Sequence, residues 1–344
     1  MIGKRRLIAD ILFKTRLIGL VQSVYAHHHI VILNYHRIRS CIALGCSHFD
    51  DNVFDVDEDQ FVRQMKWIKR HTHVLSETDL IDLIYNPCPH IHRSRYPQVV
   101  ITFDDGYRDN FSIAYPILKS LEIPAFFFVC TQMIDDRRLG AWDILAFLIK
   151  KCQKPTISYN GQIYDIRSNR SDTLESILAW MKTLSYDRLN PFIQQISDTC
   201  EIDIPDLSLQ DKELLTWDHI NKMASPEITI GSHTHTHSVL TGMENSMHLK
   251  ELMTSKRNTT KAKLEGRFYL FPIRLGIVCI FRIPLQKTAE ICGYRLGFAS
   301  SFGINSPGTI RPLALNRISG HLDTESTAAV MTVLPHLFTR KQPS

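Results

Sequence analysis

Two textures alternate along the chain. Short runs of consecutive apolar residues are followed by stretches in which apolar positions recur every three or four residues. The runs Ile30 to Tyr35, Gln98 to Phe103, Ala125 to Cys130 and Ile228 to Gly231 predict strands, and Arg295 to Ser300 and Leu313 to Ile318 predict two more. The periodic stretches predict helices over Asp57 to Arg70, where Phe61, Met65 and Ile68 share a face, over Asn110 to Leu121, and over Met247 to Leu264. A strand that is apolar at every position is buried on both faces, and a helix after such a strand marks a parallel sheet wrapped by helices. The predicted fold class is α/β.

The stretch from about 135 to 225 breaks this rhythm. It predicts helices over Trp142 to Cys152 and Asp172 to Ser197, and a small hairpin from Pro155 to Asp165 turning at Asn160-Gly161. Strands of the earlier style resume after it, so it reads as a mainly helical insertion rather than a second domain. At the start, Leu7, Ile8, Ile11, Leu12, Leu17 and Ile18 are interleaved with Lys4, Arg5, Arg6, Lys14 and Arg16. This is the pattern of a basic amphipathic helix over 1–25. Its charges are too frequent for a membrane span, and it lacks the long apolar core and cleavage site of a signal peptide. Two readings stay open: the helix packs on the domain, or it lies on an anionic membrane surface. Either way the expected location is the cytoplasm. The expected layout is this helix, a domain over 26–322, and a tail over 323–344.

Composition narrows the function classes. The chain has 344 residues, 44% hydrophobic and 22% charged, with a formal charge of +5. That is an ordinary globular balance. Without a basic stripe interleaved with aromatics it does not point to nucleic acid. The eight cysteines form no C-x-x-C pair and several sit in apolar runs, so they read as reduced, buried thiols.

The candidate chemistry stands at strand ends. Thr102-Phe103-Asp104-Asp105-Gly106-Tyr107 follows the strand at Gln98. Alone, D-D-G also suits a turn that caps the next helix. Two adjacent carboxylates, however, coexist more easily when a cation takes one of them. His233, His235 and His237 alternate directly after the strand at Ile228. Positions 233 and 237 share a side in a helix or a strand, whereas His235 joins them only if the segment stays extended. Imidazoles with a carboxylate make a three-ligand site suited to Zn²⁺. In a parallel barrel, the C-terminal ends of the strands build the active site. Asn34-Tyr35-His36-Arg37-Ile38 ends the first strand, so His36 is expected at the same mouth. His27-His28-His29 reads as a polar lead into that strand. Asp50-Asp51 and the acidic run from Asp55 to Asp59 read as a loop and a helix N-terminus. Trp217-Asp218 reads as part of the helix before the histidines, and Arg317 either supports the site or salt-bridges on the surface.

T-F-D-D-G-Y and H-T-x-x-H, in this order, resemble the first two motifs of the NodB-like polysaccharide deacetylases, carbohydrate esterase family 4. The resemblance runs from about Ile30 to Ile318, interrupted by the insertion. It implies a distorted parallel (β/α) barrel and a hydrolase that removes acetyl groups from an N-acetylated polysaccharide or glycan precursor. It implies Asp104 as general base, and Asp105, His233 and His237 as ligands of one divalent metal ion, most simply Zn²⁺. The metal lowers the pKa of water from ~15.7 toward ~7 for attack on the acetamide carbonyl. Y-H-R-I resembles a subgroup in which an N-terminal strand supplies the acid, which points to His36 for protonating the departing amine. Tyr107, Pro272 and Arg317 are the candidate substrate-binding residues.

The third motif of that family departs. Around Arg267 to Gly276 only Phe271-Pro272 and Gly276 match it, and Ile277 to Phe281 is apolar where a polar loop is expected. Resemblance resumes at Gly293-Tyr294. A locally shifted reading frame over about 268–285 explains an abrupt loss with recovery on both sides. Divergence toward another substrate groove explains it too. The rival reading of function is a catalytically impaired member that binds glycan or a partner. A two-metal phosphoesterase would need further ligands, and no clear set is present.

Overall fold

The computed structural model describes residues 29–40, 47–86, 96–238, 240, 244–262, 276–278, 283–306, 308 and 310–319. The predicted helix over 1–25, Pro272, most of the 268–285 stretch and the tail over 323–344 lie outside the described residues. In chain order, β1 (Ile30–Tyr35) and β2 (Arg37–Arg39) precede β3 (Phe54–Asp57), which leads into α1 (Glu58–His71). Next come β4 (His73–Val74), α2 (Glu77–Tyr85) and β5 (Gln98–Phe103), then a π-helical turn (Asn110–Ala114) running into α3 (Tyr115–Ser120). β6 (Ala125–Val129) is followed by α4 (Thr131–Asp136) and α5 (Ala141–Lys151), then the hairpin of β7 (Thr156–Tyr159) and β8 (Gln162–Asp165). Four helices follow: α6 (Arg170–Met181), α7 (Tyr186–Cys200), α8 (Leu207–Asp211) and α9 (Trp217–Met223). The chain returns to the sheet through β9 (Ile228–Ser232), α10 (Asn245–Ala262), β10 (Gly276–Val278), α11 (Ile283–Ile291), β11 (Leu296–Phe302) and β12 (Leu315–Ser319).

Local chemistry accounts for the helix boundaries. The Asp57 carboxylate accepts from the Gln60 N–H at the start of α1, with Glu58 and Asp59 in its first turn and Lys69, Arg70 and His71 in its last. Acids at the N-terminus and bases at the C-terminus complement the helix dipole. Ser76 and Asp79 form a capping box on α2. At the β7–β8 turn, Asn160 and Gly161 both adopt positive φ, as a tight hairpin requires.

The main sheet is parallel, and it curls until β1 pairs with β5 on one side and β12 on the other. The remaining links of the ring are β5 with β6, β6 with β9, β9 with β10, β10 with β11, and β11 with β12. β4 adds to the outside of β5 near its start. The ring is irregular, with a register shift between Phe298 and Phe302. This is the distorted parallel barrel that the sequence resemblance implies.

Alternation along each strand divides the core in two. Val31, Leu33, Tyr35, Ile101, Phe103, Phe127 and Ile230 face outward onto Phe61, Met65 and Ile68 of α1, Leu118 of α3 and Ile220 of α9. Ile30, Ile32, Val100, Phe126, Phe128, Phe298 and Leu315 form a second cluster with Leu80 and Ile81 of α2. A period of two carries that second set onward along the strands to Asn34, Thr102 and Arg317. The same face is therefore apolar at one end and polar at the C-terminal end, where the site forms.

Faces of α5, α6 and α7 make a further core of Leu145, Leu148, Ile149, Ile177, Ile193 and Ile196, continuous with Tyr107 and Cys130 at the barrel mouth. The stretch predicted as one helical region from Asp172 to Ser197 is two helices, parted by the turn between Met181 and Tyr186. Cys130, Cys152, Cys200 and Cys292 are free and buried. Among the described residues, no helix is long and apolar enough to cross a membrane.

Candidate active site

β5 ends by handing its pairing to the next residue. The Asp104 N–H donates to the Tyr35 carbonyl at 2.9 Å, which fixes Asp104 at the mouth. Its buried carboxylate receives two N–H groups of Arg317, at 2.9 and 2.8 Å, and the Asn34 amide at 3.1 Å. Arg317 also donates to the Ala299 carbonyl and the Asn34 side-chain oxygen. Burial works to raise the Asp104 pKa, but the Arg317 charge and the neighbouring histidines outweigh it and hold the carboxyl below its usual range.

The chain then turns sharply. Asp105 and Gly106 have φ of 74° and 88°. Aspartate tolerates this left-handed region better than most residues. Glycine suits the next position, because a Cβ there would stand 3.3 Å from a Val129 methyl. The two adjacent carboxylates keep separate partners, Asp104 with Arg317 and Asp105 with the histidines, although both stand near His233 Nε2, at 3.9 and 3.0 Å.

The histidine segment also turns. Thr234 and His237 have positive φ, the Thr234 hydroxyl accepts the His237 N–H at 3.0 Å, and Glu251 of α10 accepts the N–H groups of His235 and Thr236. Because the segment is not extended, His235 leaves the group, its Nδ1 standing 2.9 Å from the Thr131 hydroxyl. His233 and His237 face Asp105 instead. Asp105 Oδ1 is 3.0 Å from His233 Nε2 and 3.2 Å from His237 Nε2, and the two nitrogens are 3.2 Å apart.

These three residues fit a metal ion. They are a cluster whose ligand atoms converge on one another. Ligands about 2.0–2.1 Å from a tetrahedral zinc stand about 3.3–3.4 Å apart, close to the spacing here. Imidazole nitrogens aimed at each other across 3.2 Å repel unless a proton or cation lies between them. Two imidazoles and a carboxylate are also a donor set that Zn²⁺ accepts. The hydrogen bonds from both histidines to Asp105 outweigh the effect of its burial and hold its carboxyl well below the usual range.

His36 completes the mouth. Its Nε2 is 3.9 Å from Asp104 Oδ2, and its Nδ1 is 3.5 Å from Asp55 Oδ2. Asp55 accepts the His36 backbone N–H as well. Burial works to lower the His36 pKa, but the Asp55 hydrogen bond and the charges of Asp55, Asp105 and Asp104 overcome it, and the imidazole is pushed up to about 9. The side chain is 32% exposed, so solvent tempers this shift.

One expectation needs correction, one is narrowed to a single reading, and one lies outside the described residues. Tyr107 does not line a substrate groove: its side chain is fully buried and its hydroxyl donates to Asp143 at 2.7 Å. Of the two readings of Arg317, support of the site fits and the surface salt bridge does not: it is 6% exposed, and its donors go to Asp104, Asn34 and Ala299 rather than to a substrate. Pro272 is outside the described residues. Asp55 is the residue that sequence reasoning missed. Its acidic run suggested a loop and helix start, but Asp55 sits on β3, paired beside β2, and faces His36. The alternation of Phe54-Asp55-Val56-Asp57 was the available signal. Asn34, quoted only as the start of N-Y-H-R-I, joins the neighbourhood, as do Glu251 and Trp142, which carried no motif.

Comparison with known proteins adds an independent line. Residues 92–276 match the family model described as polysaccharide deacetylase. The poly-beta-1,6-N-acetyl-D-glucosamine N-deacetylase of Staphylococcus aureus (strain MSSA476) is 28% identical over 130 residues, 36% of this chain and 43% of that protein. The protein of the same name from Staphylococcus epidermidis is 26% identical over 131 residues, again 36% of this chain and 43% of that one. The match thus spans under half the length of these curated relatives. Among solved structures, the Streptococcus pyogenes deacetylase PplD in complex with acetate superposes with a TM-score of 0.55 at 18% identity, covering 89% of this chain and 99% of that one. IcaB from Ammonifex degensii gives 0.54 at 13%, covering 89% and 97%. At such identities the superpositions speak for the fold alone.

Proposed function

The chain belongs to the polysaccharide deacetylase family, and from that premise we propose that it hydrolyses the N-acetyl amide of a polysaccharide or glycan precursor with one divalent metal ion, most simply zinc. The observation that carries this reading is the convergence of Asp105, His233 and His237 on one point, beside Asp104 and across from His36. The relatives named for a polymer of N-acetyl-D-glucosamine support an N-acetylated amino sugar as the substrate.

Asp105, His233 and His237 would hold the ion, which when bound supplies Lewis acidity toward the amide carbonyl and water. Asp104 accepts the proton of the attacking water. Arg317 and Asn34 keep its carboxylate ionised and aimed into the mouth, so it stays a base rather than swinging to become a fourth ligand. His36, protonated through its pairing with Asp55, gives its proton to the nitrogen as the carbon–nitrogen bond breaks. The products are acetic acid and the amine, which in neutral water are acetate and an ammonium group, and the proton Asp104 gained balances the one His36 lost.

Acetate release from N-acetylglucosamine polymers, with and without chelator, tests the activity, and metal analysis tests the ion. The purified protein is expected to hold about one equivalent of zinc or a similar ion, and His233→Ala with His237→Ala to hold none. Undiminished metal in that double variant would sink the ligand assignment. Acetate release from no glycan by the metal-loaded protein would favour the impaired reading that the altered third motif raises.

The acid role predicts a pH effect. An imidazole raised well above its usual value stays protonated through neutrality, so kcat/KM should hold through neutral pH and fall on the alkaline side. Asp55→Asn removes the leading cause of the elevation and should move that limb toward the free histidine value of about 6.5. A pH–rate profile unchanged in Asp55→Asn would take His36 out of the mechanism.

A further inference from the structure

His237 is the more exposed of the two histidines facing Asp105, at 31% against 12% for His233. Its ring lies against the indole of Trp142, with centroids 4.4 Å apart and planes inclined by 47°. Trp142 opens α5, in the part of the chain that the strand pattern sets apart as an insertion. A structural account of the insertion alone does not require this contact.

The indole is fixed from several sides. Its Nε1–H donates to the Tyr107 hydroxyl at 2.7 Å, and that hydroxyl donates onward to Asp143 Oδ2 at 2.7 Å. Tyr107 and Asp143 are both fully buried. The Arg37 guanidinium lies 4.5 Å from the centre of the Tyr107 ring and is itself held by Asp109 and Glu213. Gly140 abuts the six-membered ring of the indole so closely that any side chain there would overlap it. A phenol that accepts from one partner and donates to another leaves the indole little freedom to rotate.

We propose that Trp142, locked in place through Tyr107 and Asp143, is a positioning residue for His237 and sets how tightly the site holds its metal ion. The inference rests on the metal reading above and deepens it. Partners that orient a metal-ligating histidine commonly contribute 10–100-fold to affinity. Here the partner orients by ring contact, from an element outside the two strand-end motifs. The tyrosine of T-F-D-D-G-Y thereby has a use other than sugar contact: it links the loop that carries Asp105 to the helix that carries Trp142.

The test measures Zn²⁺ affinity of the metal-stripped full chain by competition with a chromophoric chelator. Trp142→Ala is expected to weaken binding by about 10–100-fold. Tyr107→Phe keeps the ring but removes both hydrogen bonds, and should weaken it in the same direction by less. This milder variant keeps the test decisive if Trp142→Ala folds poorly, as judged by circular dichroism and melting. The Trp142→Ala change is also made in a His237→Ala background. If Trp142 acts through His237, its loss there should add little, whereas a merely structural role would reduce affinity equally in both backgrounds. Equal losses in the two backgrounds, or folded Trp142→Ala and Tyr107→Phe proteins with wild-type affinity, would overturn the proposal. A wild-type chain that takes up no Zn²⁺ would instead end the metal reading and this inference with it.

Discussion

Asp104→Asn should lower acetate release by about 10³-fold while leaving the metal in place, because general-base catalysis supplies about 10²–10⁴ in rate. The substitution keeps the shape of the side chain and removes only its ability to take a proton. Asp104 is not among the three side chains proposed to hold the ion, so metal content is expected to match wild type. The cost falls on Arg317, which loses a carboxylate partner but keeps the Ala299 carbonyl and the Asn34 oxygen as acceptors. Rates are therefore compared at temperatures where both proteins are folded. Activity within tenfold of wild type would show that another group takes the proton.

Arg317→Met should cost about 3–5 kcal/mol of stability at neutral pH, measured by urea unfolding. Methionine keeps much of the buried stem but leaves the Asp104 carboxylate inside the barrel without its cation. Asp104 has a depressed pKa in the folded chain, so its contribution is present above the usual carboxylate range and lost as pH falls through the folded value. In the variant that contribution is missing, so the gap between the two proteins should be widest near neutrality and narrow in acid. Adding Asp104→Asn to Arg317→Met removes the stranded charge and should recover a large share of the loss. A double variant no more stable than Arg317→Met alone would mean that Arg317 matters for its packing and not for its pairing with Asp104.

Six strands of the main sheet were legible from their apolar runs, and the helices from their apolar stripes and charged ends, whereas the short β2, β3, β4 and β10 were not foreseen. The strand-end placement of Asp105, His233 and His237 was legible too, although choosing these two histidines over His235 rested on the family resemblance and not on spacing. What the sequence hid were partners whose role depends on register between distant segments. Asp55 looked like one acid in an acidic run, and only the pairing of β2 with β3 brings it to His36. Tyr107 sat in a motif and invited a substrate role, yet the turn at Asp105 and Gly106 directs it inward beneath Trp142. His235 could not be placed without the backbone, because one left-handed residue at Thr234 decides which side of the turn it occupies. Arg317 was ambiguous for a simpler reason: a lone arginine in a late strand shows its partner only when the ring closes.

That closure has a consequence for the newly made chain. Arg317 reaches back across 283 positions to Asn34 and across 213 to Asp104. A ribosome must therefore deliver nearly the whole barrel before Asp104 has its counter-ion. Until β12 slots between β1 and β11, Asp104 has the Asn34 amide and the nearby histidines but not the guanidinium. Closing the ring and pairing Asp104 with Arg317 are therefore the same event.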